Sequence, residues 1–185
     1  MRLPEFLRQP VNHSSEDMIL QFITGLRGIW AKLEGAHGAP ITSIKSSARK
    51  ITIHGVNLWD YVPQCLVSSR SETAITIAFY CMAWIIIIVE TRKRTRDNQV
   101  YDQLILAHCS IILKAGIYIE DFEDGCGYIR MIFPLRLVVL YSPDVQQRES
   151  ARYRLELWRT NRGLGGICSV ALVAESEIPD SFSKY

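Results

Sequence analysis

The chain is short of lysine, of metal-type cysteine spacing and of catalytic signatures, and each shortage excludes something. Six of its 21 basic residues are lysine, and only Arg2 and Arg8 are basic before residue 27. The formal net charge of +2 is too small for bulk attraction to nucleic acid, so any anionic partner must meet a local patch. Five cysteines, at 65, 81, 109, 126 and 168, include no CxxC, and His13, His37, His54 and His108 complete no zinc spacing. An odd number of thiols in apolar contexts such as FYCMA reads as reduced core cysteine in a reducing, cytosolic setting. The Asn12-His13-Ser14 triplet matches a glycosylation acceptor, but no apolar leader stands near Met1. GxxxxGK[ST], GxGxxG after a strand, HExxH and GxSxG are all missing. The expectation is a protein that is not an enzyme, with no cofactor, no metal and no small-molecule substrate.

What is present is a 185-residue chain, 48% hydrophobic and 22% charged, enough for one domain with its own core. Residues 1–13 carry two prolines and no steady period, and read as an extended arm. Residues 14–174 read as one domain and residues 175–185 as a flexible tail. Ser14 and Asp17 offer a helix cap, after which Ile19, Phe22, Ile23, Leu26, Trp30 and Leu33 recur at helical spacing. Around residues 49–58 the period falls to two, with a bend or bulge at Gly55. A second helix is read from Asp97 to Ala115, with Val100, Tyr101, Leu104, Ile105, His108 and Ile112 on one side and Gly116 just past its end.

The most conspicuous segment is Thr73–Val89, seventeen residues without a charge. It lies at the short edge for a membrane span. Its six isoleucines and its aromatic residues favour a long or broken strand covered on both faces, with a membrane-associated segment as the other reading. Strands are also predicted at 117–119, 128–141, 151–158 and 167–174. In the third, Ala151, Tyr153, Leu155 and Leu157 alternate with Arg152, Arg154, Glu156 and Trp158. The fold class expected is therefore α+β: a single domain with a largely antiparallel β-sheet and two helices packed on it.

Candidate sites are few. Arg92, Lys93, Arg94 and Arg96 form a basic turn suited to lipid headgroups or phosphates, and Arg152 and Arg154 extend the basic face. A solvated connection is the competing reading. Glu120, Asp121, Glu123 and Asp124 lack the spacing of a calcium loop and read as solvated charge. Arg162-Gly-Leu-Gly-Gly166 reads as a turn leading into a strand, and His108 as a core-edge residue. Leu3, Phe6, Leu7 and Val11, in an arm that cannot bury them alone, are candidates for self-association.

The order of arm, long strand (ETAITIAFYCMAWIIIIVETRKRTRDNQVYDQLILAH), basic turn, helix and later strands such as YRLELWRT resembles the matrix proteins of rhabdoviruses and related negative-strand RNA viruses. The resemblance covers roughly residues 48–174. It departs from the family in having neither a PPxY nor a P[ST]AP motif. It implies a structural protein of the virion and host cytoplasm, peripheral to membrane. Such a protein self-associates as a homo-oligomer and bridges an anionic membrane surface to the viral nucleocapsid or its nucleic acid. The alternative is a soluble nucleic-acid-binding viral accessory protein, a silencing suppressor or movement-related protein.

Overall fold

The longest apolar segment is a helix, and that decides the architecture. A computed structural model describes residues 20–29, 31–32, 52–53, 56–57, 62–63, 71–93, 98–122 and 125–173. Helix α1 covers residues 20–29. Strands β1 (Thr52–Ile53) and β2 (Val56–Asn57) form a two-residue antiparallel ladder, Thr52 opposite Asn57 and Ile53 opposite Val56. Five further helices follow: α2 (Ser71–Arg92), α3 (Asn98–Phe122), α4 (Gly125–Tyr141), α5 (Val145–Asn161) and α6 (Gly165–Val173).

The expected α+β class with an antiparallel sheet is thus corrected to an all-helical bundle. Among the described residues its only ladder is β1–β2, which falls inside the segment read as bent at Gly55. Length explains α2. As a strand, its 22 residues would run about 70 Å, against a diameter of roughly 40 Å for a compact chain of this size. As a helix they span about 33 Å. Glu72 in the first turn and Arg92 in the last also complement the helix dipole. Strand propensity covers only about 1 kcal/mol and depends on context, so burial overrides it. Thr76 and Thr91 turn their hydroxyls onto the carbonyls of Glu72 and Ile87, each at 2.8 Å.

Helix α2 packs on α3 and α4, and its buried residues cover most of its circumference, leaving one narrow face with Thr76 and Phe79 exposed. That explains its lack of polar periodicity, since a helix with so wide a buried face has little room for a polar one. Both α2 and the Gln99–Asp121 stretch of α3 are long and apolar enough to cross a membrane by length and composition. Of their apolar windows, 67% and 50% are buried inside the bundle, as expected of helices forming a core. Ile23 and Leu26 of α1, with Val62, join this core.

The strand expected at 117–119 is the last part of α3, which runs through Gly116 without a break. A side chain at Gly116 would meet Arg154 Cδ at 3.5 Å and Leu135 Cδ2 at 3.7 Å, so the helices approach closely there. The strand at 128–141 is α4, with Pro134 buried in its interior. The ring removes one helical hydrogen bond, to the carbonyl of Arg130, whose residue lies on the exposed side. The strand at 151–158 is α5, where Ala151, Leu155 and Trp158 point inward. The strand at 167–174 is α6, and the turn before it is made by Gly163 at φ 67°.

Candidate functional site

The basic residues singled out in the sequence do not converge as free charges. Arg92 Nη1 lies 2.7 Å from Asp102 Oδ1, joining the end of α2 to the first turns of α3. Lys93 Nζ lies 2.6 Å from Glu90 Oε1. Arg152 pairs with Glu149 on α5, and Arg154 with Glu120 across to α3. Arg94 and Arg96 lie outside the described residues, as do Leu3, Phe6, Leu7 and Val11 and both terminal segments, 1–13 and 175–185. A phosphate or lipid headgroup at the four described positions must therefore compete with a carboxylate already in place.

The densest polar constellation was not legible as one. Arg154 Nη1 donates to Glu120 Oε2, Trp158 Nε1 donates to Glu120 Oε1 at 3.0 Å, and the Tyr128 hydroxyl donates to the Glu120 carbonyl at 3.5 Å. Tyr128 and Trp158 meet edge to face at 4.9 Å, and the Arg162 guanidinium lies 5.0 Å over the Tyr128 ring. One carboxylate thus ties α3 to α5 beside the start of α4. The expected solvated loop at 120–124 is corrected in this respect, because Glu120 is a helical residue with two side-chain donors. Asp121 is exposed; Glu123 and Asp124 lie outside the described residues. Among the described residues no group of three or more His, Cys, Asp or Glu side chains is placed to hold a metal ion.

A second polar corner joins α4 to α5. Asp144 caps α5, its carboxylate accepting the Gln146 N–H at 3.0 Å. The Ser142 hydroxyl accepts from Asp144 N at 3.2 Å and donates to Gln147 Oε1 at 2.8 Å. Gln147 Nε2 then donates to the Leu106 carbonyl of α3 at 3.2 Å, and Arg148 Nη1 donates to the Ser142 carbonyl at 2.6 Å. Between the strands expected at 128–141 and 151–158 there is thus a helix cap.

Comparison with protein-family models, with curated proteins and with solved structures finds no match. The matrix-protein likeness rested on a strand–turn–helix layout, and where it needs a strand, Ser71–Arg92 is a helix, as is Asn98–Phe122.

The thiols and the remaining titratable groups follow burial. Cys81, Cys109 and Cys168 are free and buried, and Cys126 is exposed. Burial pushes the Cys81 thiol well up, with Cys109 adding to it, and pushes Cys109 up to about 12. Thiolate chemistry is therefore suppressed at both. His108 is a core residue, not a core-edge one, with no exposed surface. On α5 the hydrogen bond with Arg159 holds the Glu156 carboxyl below its ordinary range.

The remaining surface feature is apolar. Helix α6, GGICSVALV, has no charged residue. It buries Cys168 and Ala171 against the bundle and exposes Ile167 (51%) and Val170 (66%). Beside them Gly166 leaves open space where a side chain would stand. The sequence signal for this face was available in principle, since a charge-free run after a glycine turn is visible, but with period two the outward residues differ.

Proposed function

We propose that the protein is a self-associating helical scaffold that acts by binding, and that its self-contact is the outer face of α6. The observation that carries the reading is the exposed pair Ile167 and Val170 on a nine-residue helix without a charge. So short a helix is not stable alone in water, and it survives here by packing on α5 and α4. Its outer face is apolar, with Ile167 and Val170 exposed and open space at Gly166 beside them. The same face on a second copy of the chain can cover it in a two-fold contact. Burying the four side chains of such a pair releases roughly 4–7 kcal/mol. That is similar to the cost of association, so the contact is weak and fills at high local concentration.

Of the expectations attached to the matrix-protein likeness, the proposal keeps self-association and moves it from the arm to α6. Bridging to an anionic membrane or a nucleocapsid is not carried forward, because the described basic residues named for it are held by carboxylates. Sedimentation velocity on the full chain and on Ile167→Asp and Val170→Asp, at matched concentrations up to several hundred micromolar, tests the reading. Expected is a concentration-dependent rise in size for the wild type, abolished in both variants with helical circular dichroism unchanged. A wild type that stays monomeric, or variants that associate equally, overturns it.

A further inference from the structure

His108 sits mid-way along α3, fully buried, at the interface with α2. Its ring lies parallel to the Trp84 indole, the planes 9° apart and the centroids 6.4 Å apart. Neither ring nitrogen has a hydrogen-bond partner among the described residues. A neutral imidazole in that place leaves one donor and one acceptor unmet; a protonated one would leave two donors and a charge unmet. The second state is far the worse in a dry core.

The groups brought by the packed helices do not relieve it. Helix α2 contributes Cys81, a neutral thiol, and α3 contributes Cys109, also neutral. Arg92 at the end of α2 is engaged with Asp102. Tyr141, which ends α4, is kept neutral chiefly by its burial. Arg148 of α5 donates to the Ser142 carbonyl. Burial alone lowers the His108 pKa, from 6.5 to about 3, with no contribution from any charge.

We propose that His108 makes the α2–α3 interface an acid-sensitive joint: a proton taken up by the imidazole puts a charge without counter-ion or acceptor into the core and loosens the packing of α3. The same stretch of α3 anchors the α4–α5 corner. The Leu106 carbonyl accepts from Gln147. Loosening at His108 therefore also frees the start of α5. The sign is fixed by the lowered folded pKa. The stabilisation is complete above pH 6.5, where the unfolded imidazole is neutral, and is lost as the pH falls from 6.5 towards 3.

Urea unfolding of the full chain at pH 7 and pH 5, for wild type and His108→Leu, measures the effect. From the two pKa values, the His108 contribution to the folded-to-unfolded ratio falls about 25-fold between these conditions. The leucine variant should lack that portion of the wild-type loss. In parallel, the His108 ring resonance of the folded wild type should not titrate between pH 7 and pH 5, which is readable even where the variant fails to fold. Equal losses of stability in the two proteins, or a folded-state titration near pH 6.5, overturns the proposal.

Discussion

Removing the Glu120 carboxylate should cost more than any other single charge change in the bundle. Its partner Arg154 is 14% exposed at the side chain, and Glu120 itself 23%, so the pair is largely but not fully withdrawn from water. Breaking a fully buried pair by deleting one member costs about 3–5 kcal/mol, whereas an exposed pair is worth about 0–1 kcal/mol. Glu120→Ala also strands Trp158 Nε1, whose bond to Oε1 is lost; a buried donor without its partner costs about 1–3 kcal/mol. Between these limits about 3 kcal/mol is expected, a fall in Tm of about 6–12 °C for a chain of this length. Glu120→Gln retains the Trp158 acceptor and should cost about half as much. Arg154→Met keeps the stem that packs over Gly116 and removes only the head. The double variant should then recover about 1–2 kcal/mol of the summed single losses, as groups in one network do. Thermal and urea unfolding of all four proteins provide the cycle, and repetition in 1 M salt separates it from a surface effect, which salt would erase. Strict additivity, or a coupling that vanishes in salt, would refute the claim that this carboxylate links α3 to α5.

Three further outcomes follow from individual residues. Leu155→Ala should destabilise by about 2–5 kcal/mol and Tyr153→Ala by less than about 0.5 kcal/mol; equal losses would restore the strand register, in which both face one way. Asp144→Ala removes the α5 cap and should cost about 1 kcal/mol in urea unfolding, with no change if the cap is idle. Iodoacetamide on the native protein should label Cys126 and spare Cys81, Cys109 and Cys168, with peptide mass spectrometry as the readout and early labelling of Cys81 or Cys109 as the contrary result.

Some of this architecture was written locally, and the rest was not. At residues 97–115 polar residues interrupt the apolar ones every three to four positions, so the helical period is visible, and α3 follows it. Residues 14–35 show the same period; α1 lies within them and buries Ile23 and Leu26. Gly163 marks its turn because a left-handed residue there favours glycine. Residues 151–158 are ambiguous by arithmetic. Ala151 and Leu155 are four apart, a spacing common to a strand face and a helix face, and only their neighbours separate the two. Tyr153, inward as a strand, is 67% exposed, and Trp158, outward as a strand, is 1% exposed.

By itself the sequence determined where apolar mass, turns and caps lie, because those depend on residue type and near neighbours. Only the tertiary structure decided that Thr73–Val89 is a helix, since a run apolar on every side has no period, and its conformation follows from what surrounds it. It also decided the charges: Arg154 of α5 finds Glu120 of α3 across 34 positions and Arg92 of α2 finds Asp102 of α3, so residues that read as a basic face become ties between helices. The burial of His108 belongs to the same level, because an imidazole on an apolar helix face becomes a core residue only when a second helix lays Trp84 against it.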